Sequence, residues 1–330
     1  MVRALACNAF RSDYPDMQHP ILSLHHVTAT VDDAQQDLDF CSGILALRLL
    51  KQTVNFDNHN VYHFYYGDEV GTPGTIWTTF PYRGWQVPVG AKGVGQVTIT
   101  SFSVPRESLD FWRARLAAHS IVLTERTSPF GEPVLGFDDP SGLRFELVGC
   151  NHDPRTPWAG NGVDLARAIR GLHGVTLEVS DPSPTVALMT DLLGFRVAGE
   201  SDGLLRVAVH GDAPGHRVDI AYAGSRRTAK NGIGTVHHVA LAIDTADEQL
   251  RLREELVRRG ISVTPVLDRQ YFQSIYFREP GGVLFEVATS HPGFTVDESL
   301  AELGRGLKLP VGQEPNRATI EGGLPPIVTR

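Results

Sequence analysis

Cysteine is scarce: the 330 residues contain 3, Cys7, Cys41 and Cys150. They are odd in number, scattered and never spaced as CxxC, which argues against a disulfide framework and a thiolate metal knuckle. Small apolar residues, buried or half-buried, are what remains for them. Long apolar runs are missing too. No stretch reaches the roughly 18 consecutive apolar residues that a membrane span needs. The opening segment holds only the run Ala4 to Cys7 before Asn8 and Arg11 interrupt it, too short for a signal-peptide core. A cytoplasmic protein is expected. Positive charge is not in excess either: 30 Lys and Arg against 38 Asp and Glu leave a formal net charge of −8. No basic footprint is offered to nucleic acid or to an anionic membrane, and a small-molecule partner is favoured. What is present is ordinary, with 42% apolar and 21% charged residues, the composition of a globular chain. At about 150 residues per domain, the length suggests roughly two domains.

The chain repeats itself. Ser23-Leu-His-His-Val-Thr-Ala-Thr-Val-Asp-Asp33 returns as Thr235-Val-His-His-Val-Ala-Leu-Ala-Ile-Asp244, and more weakly as Gly171-Leu-His-Gly-Val-Thr-Leu-Glu-Val-Ser-Asp181. A further copy is Val94-Gly-Gln-Val-Thr-Ile-Thr-Ser-Phe-Ser-Val104. Each is β-rich and is followed by apolar residues at helical spacing, such as Leu109, Trp112 and Leu116 or Leu250, Leu252 and Leu256. Asp33, Pro105, Asp181-Pro182 and Thr245 supply helix-start chemistry. The last strand of each unit is also shared, plainly in Asp139-Pro-Ser-Gly-Leu-Arg-Phe-Glu146 and Glu279-Pro-Gly-Gly-Val-Leu-Phe-Glu286, and recognisably in Thr72-Pro-Gly-Thr-Ile-Trp-Thr78 and Ala213-Pro-Gly-His-Arg-Val-Asp219. Four βαβββ modules follow, an α+β architecture of paired half-barrels. The expected division is an amino-terminal domain over 20–150 (modules one and two), a linker rich in Pro, Gly and Asp, a carboxy-terminal domain over 169–292 (modules three and four), and an extended arm over 293–330.

Alternate residues of a strand face opposite sides, so equivalent slots should point into the same kind of cavity. The first-strand slots read His26, Gln96, Gly174 and His238; the last-strand slots read Thr78, Glu146, Asp219 and Glu286. Two histidines and one carboxylate with open positions is the donor set of non-haem Fe(II) sites. Pairing module one with module four supplies it as His26, His238 and Glu286, with the uncharged Thr78 in the fourth slot. Pairing one with two gives His26, Thr78, Gln96 and Glu146, and pairing three with four gives a single histidine; both are poorer metal sets. Glu286, among Val283, Leu284, Phe285 and Val287, would be costly to bury without a partner. Glu146 has a similar setting and no histidine, which suits a salt bridge. The other histidines, His63 among them, read as ordinary hydrogen-bonded core or surface residues.

At these residues the sequence resembles the vicinal oxygen chelate superfamily of glyoxalases, bleomycin-resistance proteins and ring-cleaving dioxygenases, and within it the hydroquinone ring-cleaving branch. The resemblance runs from Leu24 to about Phe294. It is most specific at Leu24-His-His-Val-Thr28, Lys51-Gln-Thr-Val-Asn-Phe56, Tyr62-His-Phe-Tyr-Tyr-Gly67, Gly71-Thr-Pro-Gly-Thr75, Val236-His-His238, Asp268-Arg269, Tyr276 and Gly281-Gly-Val-Leu-Phe-Glu286. It implies Fe(II), with Mn(II) as the other candidate, on His26, His238 and Glu286. It also implies that His25, Thr28, His237, Arg269 and Tyr276 surround the metal and a small aromatic substrate that reacts with dioxygen. Arg269 and Tyr276 fall on the two strands before Glu286, where a cation and a phenol would face the cavity, Tyr276 or a histidine sharing the substrate's proton. Strand alternation, however, aims His25 and His237 away from their neighbours. A glyoxalase-like lyase or isomerase would want a second carboxylate where Thr78 stands, and a metal-free binding protein would not need the three ligands in register. A homodimer is expected for a small acidic repeat protein with a terminal arm.

Overall fold

A computed structural model describes residues 20–329; Cys7 and the opening segment lie outside them. Sixteen strands fall into the four modules expected. Module one holds β1 (Ser23–Val31), β2 (Arg48–Asn55), β3 (Asn58–Gly67) and β4 (Ile76–Pro81). Module two holds β5 (Gln96–Pro105), β6 (Thr124–Thr127), β7 (Pro133–Asp138) and β8 (Arg144–Cys150). Module three holds β9 (Gly171–Val179), β10 (Arg196–Ser201), β11 (Leu204–Ala208) and β12 (Arg217–Tyr222), and module four β13 (Thr235–Ile243), β14 (Leu267–Asp268), β15 (Gln273–Arg278) and β16 (Leu284–Thr289).

A helix follows the first strand of each module: α1 (Ala34–Leu38), α2 (Leu109–Ala118), α3 (Pro182–Asp191) and α4 (Ala246–Arg258). Their starts follow the local chemistry. The Asp33 and Asp181 side chains accept from the Gln36 and Ser183 backbone N–H groups, and Thr245 forms a capping box with Glu248. Pro105 opens a single 3-10 turn and caps nothing with a side chain. Helix α1 is shorter than its apolar spacing suggests, giving way at Asp39 to a wider π turn that ends at Ile44. None of the described helices is long and apolar enough to cross a membrane.

The modules pair as one with four and two with three. One eight-stranded sheet runs β14-β15-β16-β13-β1-β4-β3-β2, the other β10-β11-β12-β9-β5-β8-β7-β6. Each sheet therefore draws one module from each half of the chain. Between the sheets, Trp77 of β4 meets Phe145 of β8 edge-on with centroids 4.9 Å apart, and Phe40, Phe102 and Phe137 complete the aromatic centre. The linker ties the halves together, for Arg155 donates to the carbonyls of Gly74 and Leu172, each at 2.9 Å.

One slot assignment is corrected by the register. Thr28 pairs with Thr78, Thr176 with Asp219 and Ala240 with Glu286, two residues beyond His26, Gly174 and His238. In module two Ser101 pairs with Glu146, so the equivalent slot is Ile99, not Gln96. The skipped residue of β5, Thr98, is the equivalent of the skipped residue of β1, His25, so Val97-Thr98-Ile99 matches Leu24-His25-His26 and the sequence match aligns this copy three residues early.

The arm, described over 293–329, folds back on its own chain and is only partly extended. It carries short 3-10 turns and the helix α5 (Arg317–Gly323). Gln52 donates to the Gly304 carbonyl at 2.6 Å and accepts from the Lys308 N–H at 2.8 Å. Gly304 has φ +77° and a Cβ there would lie 2.0 Å from the Leu49 carbonyl oxygen, so this close approach requires glycine. The arm thereby covers β2, the edge strand of its sheet, whose free backbone groups would otherwise invite pairing with another chain.

Candidate metal centre

The centre of the first sheet, where β1, β13 and β16 lie side by side, brings His26, His238 and Glu286 together. His26 Nε2 is 3.2 Å and His238 Nε2 2.8 Å from Glu286 Oε2, and the two Nε2 atoms are 3.4 Å apart. Donors at right angles around one ion, each about 2.1 Å from it, are separated by roughly 3 Å. All three edges match one face of such an arrangement. Among the described residues these three form the one group of histidine, cysteine or carboxylate side chains set for an ion. Glu286 is fully buried, and its Oε2 accepts no well-directed hydrogen bond despite the nearby nitrogens. A buried carboxylate oxygen left this way is costly, and an ion in the triangle would relieve it. The donor set fits a divalent metal.

His25 and His237 do face the ligands, against the alternation expected of flat strands. The register skips each of them: Leu24 pairs with Leu241 and His26 with Ala240, while Thr28 pairs with His238 and Ala29 with Val236. Both are bulge residues, at symmetric places on the two central strands, and a bulge re-aims its side chain. His25 Nδ1 lies 2.8 Å from His26 Nδ1, and His237 Nδ1 2.8 Å from His238 Nδ1. With an ion on Nε2, each of these two imidazoles would carry its proton on Nδ1 and donate it to the preceding histidine. Burial, reinforced by the adjacent imidazole, pushes His25 and His237 down to about 3. Both stay neutral and able to accept. Burial also lowers His238, while Glu286 is held well below the usual carboxylate range by the two facing imidazoles, which outweigh its own desolvation. The site thus gathers two imidazole nitrogens and one carboxylate oxygen around a shared point.

A cavity of about 480 Å³ opens over the triad, with Phe56, Phe80 and Phe272 among its walls. Thr28 and Tyr276 line it. Tyr276 stands opposite Glu286 in the β15–β16 register, and its ring meets that of His238 edge-on at 5.6 Å. Burial first, and then the charge of Glu286, raise this phenol far above its ordinary range, so it remains a hydrogen-bond donor. Arg269 lines the cavity from the turn after β14 and not from a strand, because the β14–β15 pairing ends at Asp268. Its Nε donates to the Tyr276 hydroxyl at 3.3 Å, and its guanidinium reaches Asp57 at 3.7 Å.

Three further residues belong to the site. His63 is buried, lines the cavity, and has Nε2 3.1 Å from Thr78 Oγ1, which donates to Thr28 Oγ1 at 2.8 Å. Its ring lies 4.1 Å from Tyr65 and 4.3 Å from Phe80. Tyr65 pairs with Thr78 across β3 and β4, so position 63 shares the cavity face; that parity was the available signal. Ser274 is fully buried and donates to Glu286 Oε1; lying two residues from Tyr276, it was marked by the same parity. Phe272 packs edge-on against His25 at 5.0 Å, and as a turn residue it carried no signal.

The second sheet holds the counterpart cavity, about 220 Å³ with Gly174, Glu146 and Asp219 on its wall. Its two slot carboxylates are paired, Glu146 with Arg126 and Asp219 with Arg206, both at 2.7 Å. As the slot reading expected, Glu146 ends in a salt bridge.

Comparison with known proteins gives a consistent picture. Residues 171–287 match the family model described as the glyoxalase/bleomycin resistance protein/dioxygenase superfamily. A Bacillus subtilis protein named “Putative ring-cleaving dioxygenase MhqO” is 40% identical over 95% of this chain and 99% of its own. The chlorohydroquinone/hydroquinone 1,2-dioxygenase of Sphingobium indicum is 33% identical over 89% of this chain and 93% of its own. The crystal structure of a “putative dioxygenase” from Bacillus subtilis superposes with a TM-score of 0.90 at 40% identity, covering 94% of this chain and 99% of that one. Glyoxalase I of Zea mays, at 13% identity and a TM-score of 0.61 over 81% of this chain and 92% of its own, shares the fold. The chain belongs to the glyoxalase/bleomycin resistance protein/dioxygenase superfamily, in the branch whose members are named as ring-cleaving dioxygenases.

Proposed function

We propose that His26, His238 and Glu286 hold one Fe(II), and that the chain opens a hydroquinone-type aromatic ring with insertion of both atoms of dioxygen. The observation that carries this reading is the buried triangle of two imidazoles and one carboxylate beneath an aromatic-walled cavity. The hydroquinone substrates named for the Sphingobium relative support the choice of ring. Fe(II) held there would bring a ring hydroxyl and dioxygen together on open positions and give electrons a path from ring to oxygen; Mn(II) accepts the same donors.

The protein's own groups do the rest. Glu286 supplies the single negative charge and Ser274 fixes its orientation. His25 and His237 hold the ligand rings in the tautomer that leaves Nε2 bare. Phe56, Phe80 and Phe272 receive the faces of an aromatic ring and keep water out. Tyr276, locked as a phenol, donates toward a substrate oxygen and does not take its proton. The Arg269 guanidinium beside it stabilises negative charge that develops on that oxygen. His25, His237, Arg269 and Tyr276 thus each have a part, and Thr28 lines the cavity while accepting from Thr78. Thr78 stands where a glyoxalase-type site would want a second metal-closing carboxylate.

Oxygen uptake by protein loaded anaerobically with Fe(II), and offered hydroquinone, methylhydroquinone or catechol, tests this directly. Uptake matched to ring opening, fastest with a hydroquinone and lost in His26→Ala and Glu286→Ala, is the expected result. No uptake by protein that demonstrably holds iron would overturn the proposal.

A further inference from the structure

We propose that Asp297, in the carboxy-terminal arm, is a positioning residue for the turn that carries Arg269 and Phe272 into the active site. The inference rests on the reading of Arg269 as a substrate-contacting group. One Asp297 oxygen accepts from Gln270 Nε2 at 2.7 Å and from the Tyr271 hydroxyl at 3.1 Å. The other is 2.6 Å from Lys51 Nζ. Asp297 therefore joins the arm, the turn and strand β2 through one carboxylate.

The turn needs such a hold. Gln270 has φ +66°, a conformation that side-chain-bearing residues rarely adopt and that surrounding contacts must maintain. Within the turn, the Arg269 N–H donates to the Phe272 carbonyl at 2.9 Å and the Gln270 N–H to Asp268 Oδ1 at 2.7 Å. From the arm, the Gly293 N–H donates to the Tyr271 carbonyl at 2.8 Å, and Phe294 stacks on Tyr271 with centroids 5.0 Å apart. The residues on either side of this anchored pair are the two that matter to the cavity: Arg269 beside Tyr276, and Phe272 against His25 and His26.

Lys51 makes Asp297 a firm anchor. Its side chain is fully buried, in strand β2, and also meets Glu298 and the Phe294 carbonyl. An Asp297→Ala chain leaves that ammonium paired with Glu298, so the fold survives the substitution while the turn loses its carboxylate. Gln270→Gly is the complementary variant: glycine suits the positive φ and lacks only the amide that Asp297 grips.

Iron-loaded wild type, Asp297→Ala, Gln270→Gly, Arg269→Lys and the Asp297→Ala/Arg269→Lys double variant are compared in three measurements. These are anaerobic calorimetric binding of hydroquinone, steady-state oxygen uptake, and hydrogen exchange over residues 267–273. In Asp297→Ala, hydroquinone binding weakens and KM rises by about tenfold while kcat changes less than about threefold, with iron content and Tm retained. Gln270→Gly shows part of this, exchange over 267–273 speeds up in both, and the double variant loses no more than Arg269→Lys alone, because the two residues act through one group. Unchanged exchange in the turn, or losses that multiply fully in the double variant, would overturn the proposal. Wild-type protein that neither binds hydroquinone nor consumes oxygen would count against the dioxygenase reading, while hydrogen exchange would still decide whether Asp297 holds the turn.

Discussion

Two histidines outside the candidate triad show how much of this site is set one side chain away from it. His25 and His237 lie Nδ1 to Nδ1 against His26 and His238; in the proposed metal-binding tautomer they accept those protons, so their loss would leave a buried N–H without a partner and a ring free to turn. Such supporting groups are generally worth 10- to 100-fold in metal affinity. In His237→Phe, Fe(II) affinity measured by competition with a chelator should fall by about that factor with the fold intact, and unchanged affinity would show that the pair is decorative. Residue type and repeat position made the triad legible, because His26 and His238 occupy equal places in modules one and four and Glu286 lies on the last strand of module four. The roles of His25 and His237 were hidden by the bulges, since an extra strand residue leaves no mark in a period of two. His63 shares the parity of Tyr65, a readable signal, but only the pairing of β3 with β4 shows that this parity is the cavity face.

The turns that launch the last strands are built on buried acids. In module four Glu279 accepts from the Gly281 and Val283 N–H groups, each at 2.8 Å, and from the Thr185 hydroxyl at 2.6 Å. In module two Asp139 accepts from the Ser141 and Leu143 N–H groups, at 2.9 and 2.6 Å. These turns set the phase of β8 and β16, and with it the cavity-facing positions of Glu146 and Glu286. Burial raises Asp139 from 3.8 to about 7, against the pull of the Leu143 and Ser141 N–H groups. Because its folded value lies above the unfolded one, its stabilising contribution is complete below about pH 4 and is lost as pH rises to about 7. Asp139→Asn removes that loss. The variant should therefore gain on the wild type between pH 4 and pH 7, by at most about 1.4 kcal/mol per pH unit, read as a widening difference in Tm; a difference independent of pH would contradict the buried, raised carboxyl. Strands and helix starts were legible here because Asp33, Asp181 and Thr245 cap as their chemistry dictates. The end of α1 was not, since apolar spacing does not separate an α turn from the π turn that replaces it at Asp39.

At the scale of the molecule, four copies of one module give two sheets with opposite fates. Pairing one with four places two histidines and a carboxylate around one point; pairing two with three places Glu146 and Asp219 against arginines. Among the described residues only the first sheet holds a group set for an ion, so the protein should bind one Fe(II) per chain by elemental analysis, and Glu286→Ala none; two ions per chain would contradict this reading. The module pairing was legible because it alone completes a ligand set, whereas the course of the arm depends on contacts over long sequence separations, such as Lys51 with Asp297 and Gln52 with Gly304. The central claim is that these residues direct both atoms of dioxygen into an aromatic ring. The measurement is the mass of the ring-opened product formed from hydroquinone by the Fe(II)-loaded protein under oxygen-18 gas. Two heavy oxygen atoms in each product molecule are the predicted result, and a product carrying none, or a hydroquinone returned unopened, would contradict the account.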